Sequence, residues 1–124
     1  MRHRILLLKA PGGIGIDIAL AGFPLEEEII DRASGFEFLP GLVLRTCSVE
    51  DLIVLKAFAS RTQDWADIEG ILTRSGPAID RSAVEERLGP LAELKGDPAI
   101  LPRLQDLFQS LSSLPIRWGC RTVP

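Results

Sequence analysis

The run Ser48-Val49-Glu50-Asp51, continuing as Leu52-Ile53-Val54-Leu55-Lys56-Ala57-Phe58-Ala59-Ser60, restricts this chain more than any other segment. Its first four residues fit the Ser/Thr-x-x-Asp/Glu capping box, in which side chains satisfy backbone N–H groups at a helix start. A helix is expected from Ser48 to about Ser60. With about 100° of turn per residue, its apolar side chains fall nearly all the way round. Such a helix cannot rest on a surface with one side in water; other elements have to enclose it. Lys56 projects between Leu52 and Ile53, inside an apolar stripe.

The residues that follow can supply that enclosure. Asp64 to Arg74 carries Trp65, Ile68, Ile71 and Leu72 at helical spacing, with Asp64 and Asp67 one turn apart on a neighbouring face. Gly76-Pro77 closes this helix. Asp80 is placed to cap another, with Val84, Leu88 and Leu91 toward the core, which Gly89-Pro90 should kink or split. Asp97-Pro98 opens a last helix through Ile100, Leu104, Phe108 and Leu111. The tail 115–124 has no clear period and is expected to be loosely ordered.

The N-terminal part reads differently. Residues 4–9 are apolar and β-prone, Pro11-Gly12-Gly13 is a turn, and residues 14–20 alternate, so a β-hairpin is expected. Ile14, Ile16, Ile18 and Leu20 share one face; Gly15, Asp17, Ala19 and Ala21 share the other. Pro24 begins a short helix, with Glu26, Glu27 and Glu28 in its first turn, ending near Ser34-Gly35. Residues 36–38 and 42–45 flank Leu39-Pro40-Gly41 as a second, shorter hairpin or a pair of edge strands. The expected fold class is α+β: a small mixed or antiparallel sheet of three to four strands with helices packed on it, and a helical C-terminal half. One domain is expected over 1–114.

Length and charge narrow the functions. The 124 residues, 46% hydrophobic and 25% charged, suit one small soluble domain rather than two large ones. Fourteen Lys and Arg against seventeen Asp and Glu give a net charge of −3, so no overall basic field draws the molecule to nucleic acid or an acidic membrane. Cys47 and Cys120 make no CxxC pair and His3 is the only histidine, which argues against zinc and dithiol sites. The apolar run near the start is too short for a signal peptide or a span, so the cytoplasm is the expected compartment.

Several residues could carry chemistry. Gly12-Gly13-Ile14-Gly15 invites a phosphate-loop reading, but it leads into a strand rather than a helix N-terminus, and a hairpin turn is favoured. Ser/His/Asp catalysis would need His3, for which the sequence offers no partner. Lys56 must find a carboxylate, bind an anion or reach water, so it is either a snorkelling core-edge lysine or a phosphate-binding one facing a cleft shared with Asp17. Asp17 is either that cleft's carboxylate or a solvent-facing strand residue. Asp64 and Asp67 read as first-turn helix residues, and Arg61 can pair with one of them.

Taken in order, Gly15-Ile16-Asp17-Ile18-Ala19-Leu20, Phe23-Pro24-Leu25-Glu26-Glu27-Glu28, Ser48 to Ala57, and Arg61-Thr62-Gln63-Asp64-Trp65-Ala66-Asp67-Ile68-Glu69-Gly70-Ile71-Leu72 resemble the later part of the bacterial nucleotidyltransferase-like proteins related to the AbiEii toxins. The resemblance runs from about Ile5 to about Leu94. It implies a mixed sheet with helices on one side, Mg2+ and a nucleoside triphosphate as cofactor and substrate, and nucleotidyl transfer to a hydroxyl. By position, Asp17 corresponds to the third metal carboxylate, a base or metal support. Lys56 corresponds to a lysine that holds triphosphate, with Arg61 beside it. Asp64 and Asp67 would frame the rim or hold Arg61 and Lys56 in place.

The family's upstream Gly-Gly or Gly-Ser helix start and its Asp-x-Asp metal dyad have no counterpart here. No acidic residue precedes Asp17. One carboxylate and one lysine make a poor Mg2+ site. The expectation is therefore a domain truncated on its N-terminal side and inactive alone. The alternatives are a non-enzymatic binding or dimerisation module, related to toxin–antitoxin systems, and an enzyme completed by carboxylates from another chain. A sheet lacking its first strands would expose an edge or an apolar face, so a homodimer or a partner chain is expected to cover it.

Overall fold

A computed structural model describes residues 4–113; His3, Cys120 and the tail 115–124 lie outside them. The chain divides into two compact units, Met1–Ser48 and Val49–Pro124.

The first unit is built from two hairpins and a helix. Strands β1 (Ile5–Lys9) and β2 (Gly15–Ala19) pair antiparallel, with Leu6 opposite Ile18, Leu7 opposite Asp17 and Leu8 opposite Ile16. The connection is tight. Gly12 and Gly13 sit at φ +92° and +81°, a region that glycine enters without a Cβ clash, and the Ala10 N–H donates to the Ile14 carbonyl at 2.8 Å. Helix α1 (Pro24–Arg32) starts on Pro24, and the Glu26 carboxylate turns back to accept the N–H groups of Gly22 at 2.5 Å and Phe23 at 3.1 Å. Arg4 adds an ion pair to Glu26 at 2.8 Å. The helix stops at Arg32, short of the expected Ser34-Gly35. The Arg45 guanidinium donates to the Ile30 and Ala33 carbonyls at 3.1 and 3.2 Å, closing the helix end where the chain turns extended.

Strands β3 (Ser34–Leu39) and β4 (Leu42–Thr46) form the second hairpin, with an irregularity between Glu37 and Leu39. The expected α+β class holds, but the sheet does not have three to four strands: β1–β2 and β3–β4 are separate two-stranded sheets. Each hairpin is closed by its own local turn, and no ladder joins them among the described residues.

The second unit holds nearly all of the core. Every buried apolar side chain among the described residues except Ile29 lies at Ile53 or later. Helix α2 (Val49–Ala59) touches each of α3 (Thr62–Ser75), α4 (Arg81–Lys95) and α5 (Ile100–Ser112), and Ile53, Val54 and Ala57 are sealed between them. A three-residue helical turn, Gly76–Ala78, links α3 to α4.

Side-chain bonds fix how these helices run. At one end, Glu50 accepts the Asp80 N–H at 3.1 Å; at the other, Lys95 donates to the Phe58 and Ala59 carbonyls. The helices α2 and α4 are therefore parallel, with α3 as the return segment. Between those ends the carboxylate of Asp51, 0% exposed, accepts from Arg87 at 3.0 Å. Arg81 reaches the Phe108 carbonyl and Gln105 reaches Glu85, which sets α5 antiparallel to α4.

Two expectations for these helices change. Gly89-Pro90 does not split α4 into two elements; the helix continues from Arg81 to Lys95 with Pro90 inside it. Pro90 and Glu86, the residue whose carbonyl loses its donor, are both exposed, so water can replace the missing bond while Val84, Leu88 and Ala92 face the core. The last helix begins at Ile100 rather than at Asp97-Pro98. Gly96, at φ +73°, ends α4, and the Asp97 N–H is spent on the Ala92 carbonyl at 3.1 Å.

Because Pro90 costs α4 a hydrogen bond at a water-facing position, Pro90→Ala is expected to stabilise the protein by about 1–2 kcal/mol. Urea unfolding followed by helical circular dichroism measures this; a destabilised variant would mean that the proline ring has a packing role.

Candidate functional site

The chain reverses between α2 and α3 at Ser60, which is left-handed at φ +57°. Its N–H donates to the Lys56 carbonyl at 2.9 Å and its hydroxyl accepts the Trp65 indole N–H at 2.9 Å. This tight corner sets the last turn of α2 beside the first two turns of α3. It brings Lys56, Arg61, Asp64 and Asp67 together.

The four side chains neutralise one another. Lys56 Nζ lies 2.7 Å from Asp67 Oδ2 and 3.7 Å from Asp64 Oδ1. Asp64, 3% exposed, is gripped by Arg61 through Nε at 2.7 Å and Nη2 at 3.2 Å, and also accepts the Arg61 backbone N–H at 3.1 Å. Gln63 donates to the second Asp67 oxygen at 2.9 Å. Two cations therefore meet two carboxylates. Asp64 carries the third-position carboxylate that closes the start of α3, and its pairing with Arg61 is two-pronged.

Proton affinities follow the contacts. The Arg61 hydrogen bond, aided by the Lys56 charge, holds the Asp64 carboxyl below the usual carboxylate range. The Lys56 hydrogen bond, with that of Gln63, does the same for Asp67. In return, the Asp67 hydrogen bond raises Lys56 above its ordinary value, and Asp64 raises Arg61. Lys56 is thus not an unpaired ammonium in an apolar stripe; its charge is answered across the helix pair.

A groove of about 310 Å³ opens along the same helix pair, lined by Leu52, Lys56, Asp67, Gly70 and Arg74 among others. Gly70 leaves space for the Arg74 guanidinium, whose Nη1 lies 3.3 Å from where a Cβ would stand.

Asp17 is in the other unit. It lies at the centre of β2, opposite Leu7, on the face that also carries Lys9, Gly15 and Ala19. Its same-face neighbours along β2, Gly15 and Ala19, are small, whereas those across the ladder are Leu7, Ile5 and Lys9; the whole of β2 is exposed. Among the described residues, no group of three or more His, Cys, Asp or Glu is placed to hold a metal ion. Mg2+ asks for near-octahedral oxygen ligation. One strand carboxylate and a lysine already bound by two aspartates do not fit a resident Mg2+–triphosphate.

Two features escaped the sequence reading. Asp51, expected as a helix-start carboxylate, is in addition a buried partner of Arg87; the available signal was its place beside the apolar run, one turn before Val54 and Leu55. The groove residues Gly70 and Arg74 gave no signal beyond their spacing of four on one helix face. Among the described residues no helix is long and apolar enough to cross a membrane. Comparison with family models, curated proteins and solved structures finds no match.

The depressed Asp64 and Asp67 carboxyls give a pH dependence with a definite sign. An unfolded aspartate titrates near pH 3.9. Since the folded values lie lower, the pairs contribute stability above about pH 4 that is lost as pH falls through the folded values. The raised Lys56 value adds a loss only at alkaline pH, above about 10. The urea midpoint is expected to hold steady near neutrality and fall in acid, with a smaller acid fall in Asp64→Asn and Asp67→Asn. An identical acid fall in both variants would show that these pairs contribute nothing.

Proposed function

We propose that this chain is an association module of nucleotidyltransferase-like descent that binds through its hairpin unit and does not transfer nucleotides by itself. The observation that carries this reading is the β1–β2 hairpin. Ile5, Leu6, Leu7, Leu8, Ile16 and Ile18 are all exposed, from 41% at Ile18 to 75% at Leu7. A two-stranded hairpin is marginal in water by itself, and apolar side chains at this density are what an interface buries. The ordered series from Gly15 to Leu72 supports the descent. The internal neutralisation of Lys56 and Arg61 supports the absence of independent triphosphate binding, since the two cations that the resemblance links to phosphate are already held by Asp64 and Asp67. The cytoplasm is part of the same reading.

A second reading is favoured by the setting of Asp17: an exposed carboxylate flanked by Gly15 and Ala19 is open to approach. In it, Asp17 supplies one carboxylate to a composite transferase site whose other acidic residues come from another chain.

Two measurements on the full chain test the proposal. Titration with Mg-ATP in a calorimeter is expected to give no saturable heat; micromolar binding abolished by EDTA would overturn the statement about triphosphate. Light scattering is expected to show a mean mass that rises with concentration above the 13.6 kDa monomer. A constant monomer mass at every concentration would overturn the association.

A further inference from the structure

Resting on the association reading, we infer that the docking edge is β1 and that its occupant is β1 of a second copy, antiparallel, with Leu7 facing Leu7 across a two-fold axis. The hairpin's hydrogen bonds define the edge. At its two ends, Leu20 N–H donates to the Arg4 carbonyl at 2.7 Å and Ala10 N–H to the Ile14 carbonyl at 2.8 Å. These bonds place the even-numbered residues of β1 in hydrogen-bonded pairs with β2. The alternation of an antiparallel ladder then turns the N–H and C=O groups of Ile5, Leu7 and Lys9 outward.

Charge selects this edge among the four strands. Edge strands are normally protected by a charge, a bulge or a covering element. In β2, Asp17 stands at the middle of the strand. In β3, Glu37 adjoins the irregularity in the ladder, and in β4, Arg45 is tied to the end of α1. By contrast, β1 reads Ile-Leu-Leu-Leu and reaches a charge only at Lys9.

Self-pairing on β2 would set the two Asp17 carboxylates opposite each other at about 5.5 Å between Cα atoms, or diagonal at about 7 Å if shifted by two residues. Self-pairing on β1 about Leu7 sets Leu6 against Leu8 and Ile5 against Lys9, each of the second copy. It uses every outward N–H and C=O of the strand. The two Asp17 residues then lie three strand spacings apart, about 14 Å, beyond the screening length of about 8 Å at physiological salt. The product is a continuous four-stranded antiparallel sheet, above the three-strand threshold for independent stability. One of its faces combines Leu6, Leu8, Ile16 and Ile18 of both copies.

Substitutions at Leu7 test the register, because in this arrangement the residue meets itself. Leu7→Pro removes an outward N–H and leaves the ladder to β2 intact. It is expected to weaken dimerisation at least about tenfold, with the helical circular dichroism unchanged. Leu7→Lys and Leu7→Glu should each be monomeric alone, by repulsion across the axis, and should dimerise when mixed. Light scattering on the full chain reads all five samples, the wild type, the three variants and the Lys/Glu mixture. A wild-type dimer that Leu7→Pro leaves untouched, or a Lys/Glu mixture that stays monomeric, overturns the β1 pairing while leaving association through another surface standing. A wild-type chain that is monomeric at every concentration overturns both.

Discussion

Helix α2 has apolar side chains on nearly every side, and the rest of the second unit is arranged to cover most of it, leaving Leu55 and Ala59 exposed. Ile53, Val54 and Ala57 are sealed by α3, α4 and α5. Enclosure demands that helices approach from several directions. The parallel placement of α2 and α4, with α3 returning between them in sequence, meets that demand. The polar groups on α2 must then be answered from neighbouring helices: Asp51 by Arg87, Lys56 by Asp67 and Asp64, and the Phe58 and Ala59 carbonyls by Lys95. One helix, sealed along Asp51, Ile53, Val54 and Ala57 and open to water at Leu55 and Ala59, thus organises the core and the charge pairs that surround it.

The first unit follows the opposite logic. Its hairpins are closed by their own glycine and proline turns, and its helix is held at the two ends by the Glu26 and Arg45 contacts. Local closure makes a hairpin but cannot bury it. A two-stranded ribbon has two faces and two edges, and β1–β2 leaves apolar side chains exposed on both faces. The contrast between a unit that satisfies itself and one that does not is the physical basis for assigning association to the hairpin. Lys56 and Arg61, which resemblance links to triphosphate, belong to the self-satisfied part.

Element types were largely legible in the sequence because each rests on local chemistry: period-two alternation at Ile14 to Leu20, the turn at Pro11-Gly12-Gly13, and 3.6-residue spacing from Trp65 to Leu72. What depended on distant partners was harder to read. The expected sheet of three to four strands became two separate hairpins, since sequence alternation states which faces exist but not which strands pair. Pro90 remains inside α4 because its position is water-facing, a property that α4 acquires only by packing. At the corner between α2 and α3, sequence spacing placed Asp64 and Asp67 one turn apart. Their partnership with Lys56, one of the two roles the resemblance implied, rests on the reversal at Ser60, which propensity does not encode.

On the proposed association, the hairpin unit owes its stability to a partner and the helical unit does not. Amide hydrogen exchange followed residue by residue across a dilution series measures the two separately. Protection of the β1 and β2 amides is expected to rise with protein concentration while that of α2 to α5 stays constant. Hairpin protection that is independent of concentration would contradict it.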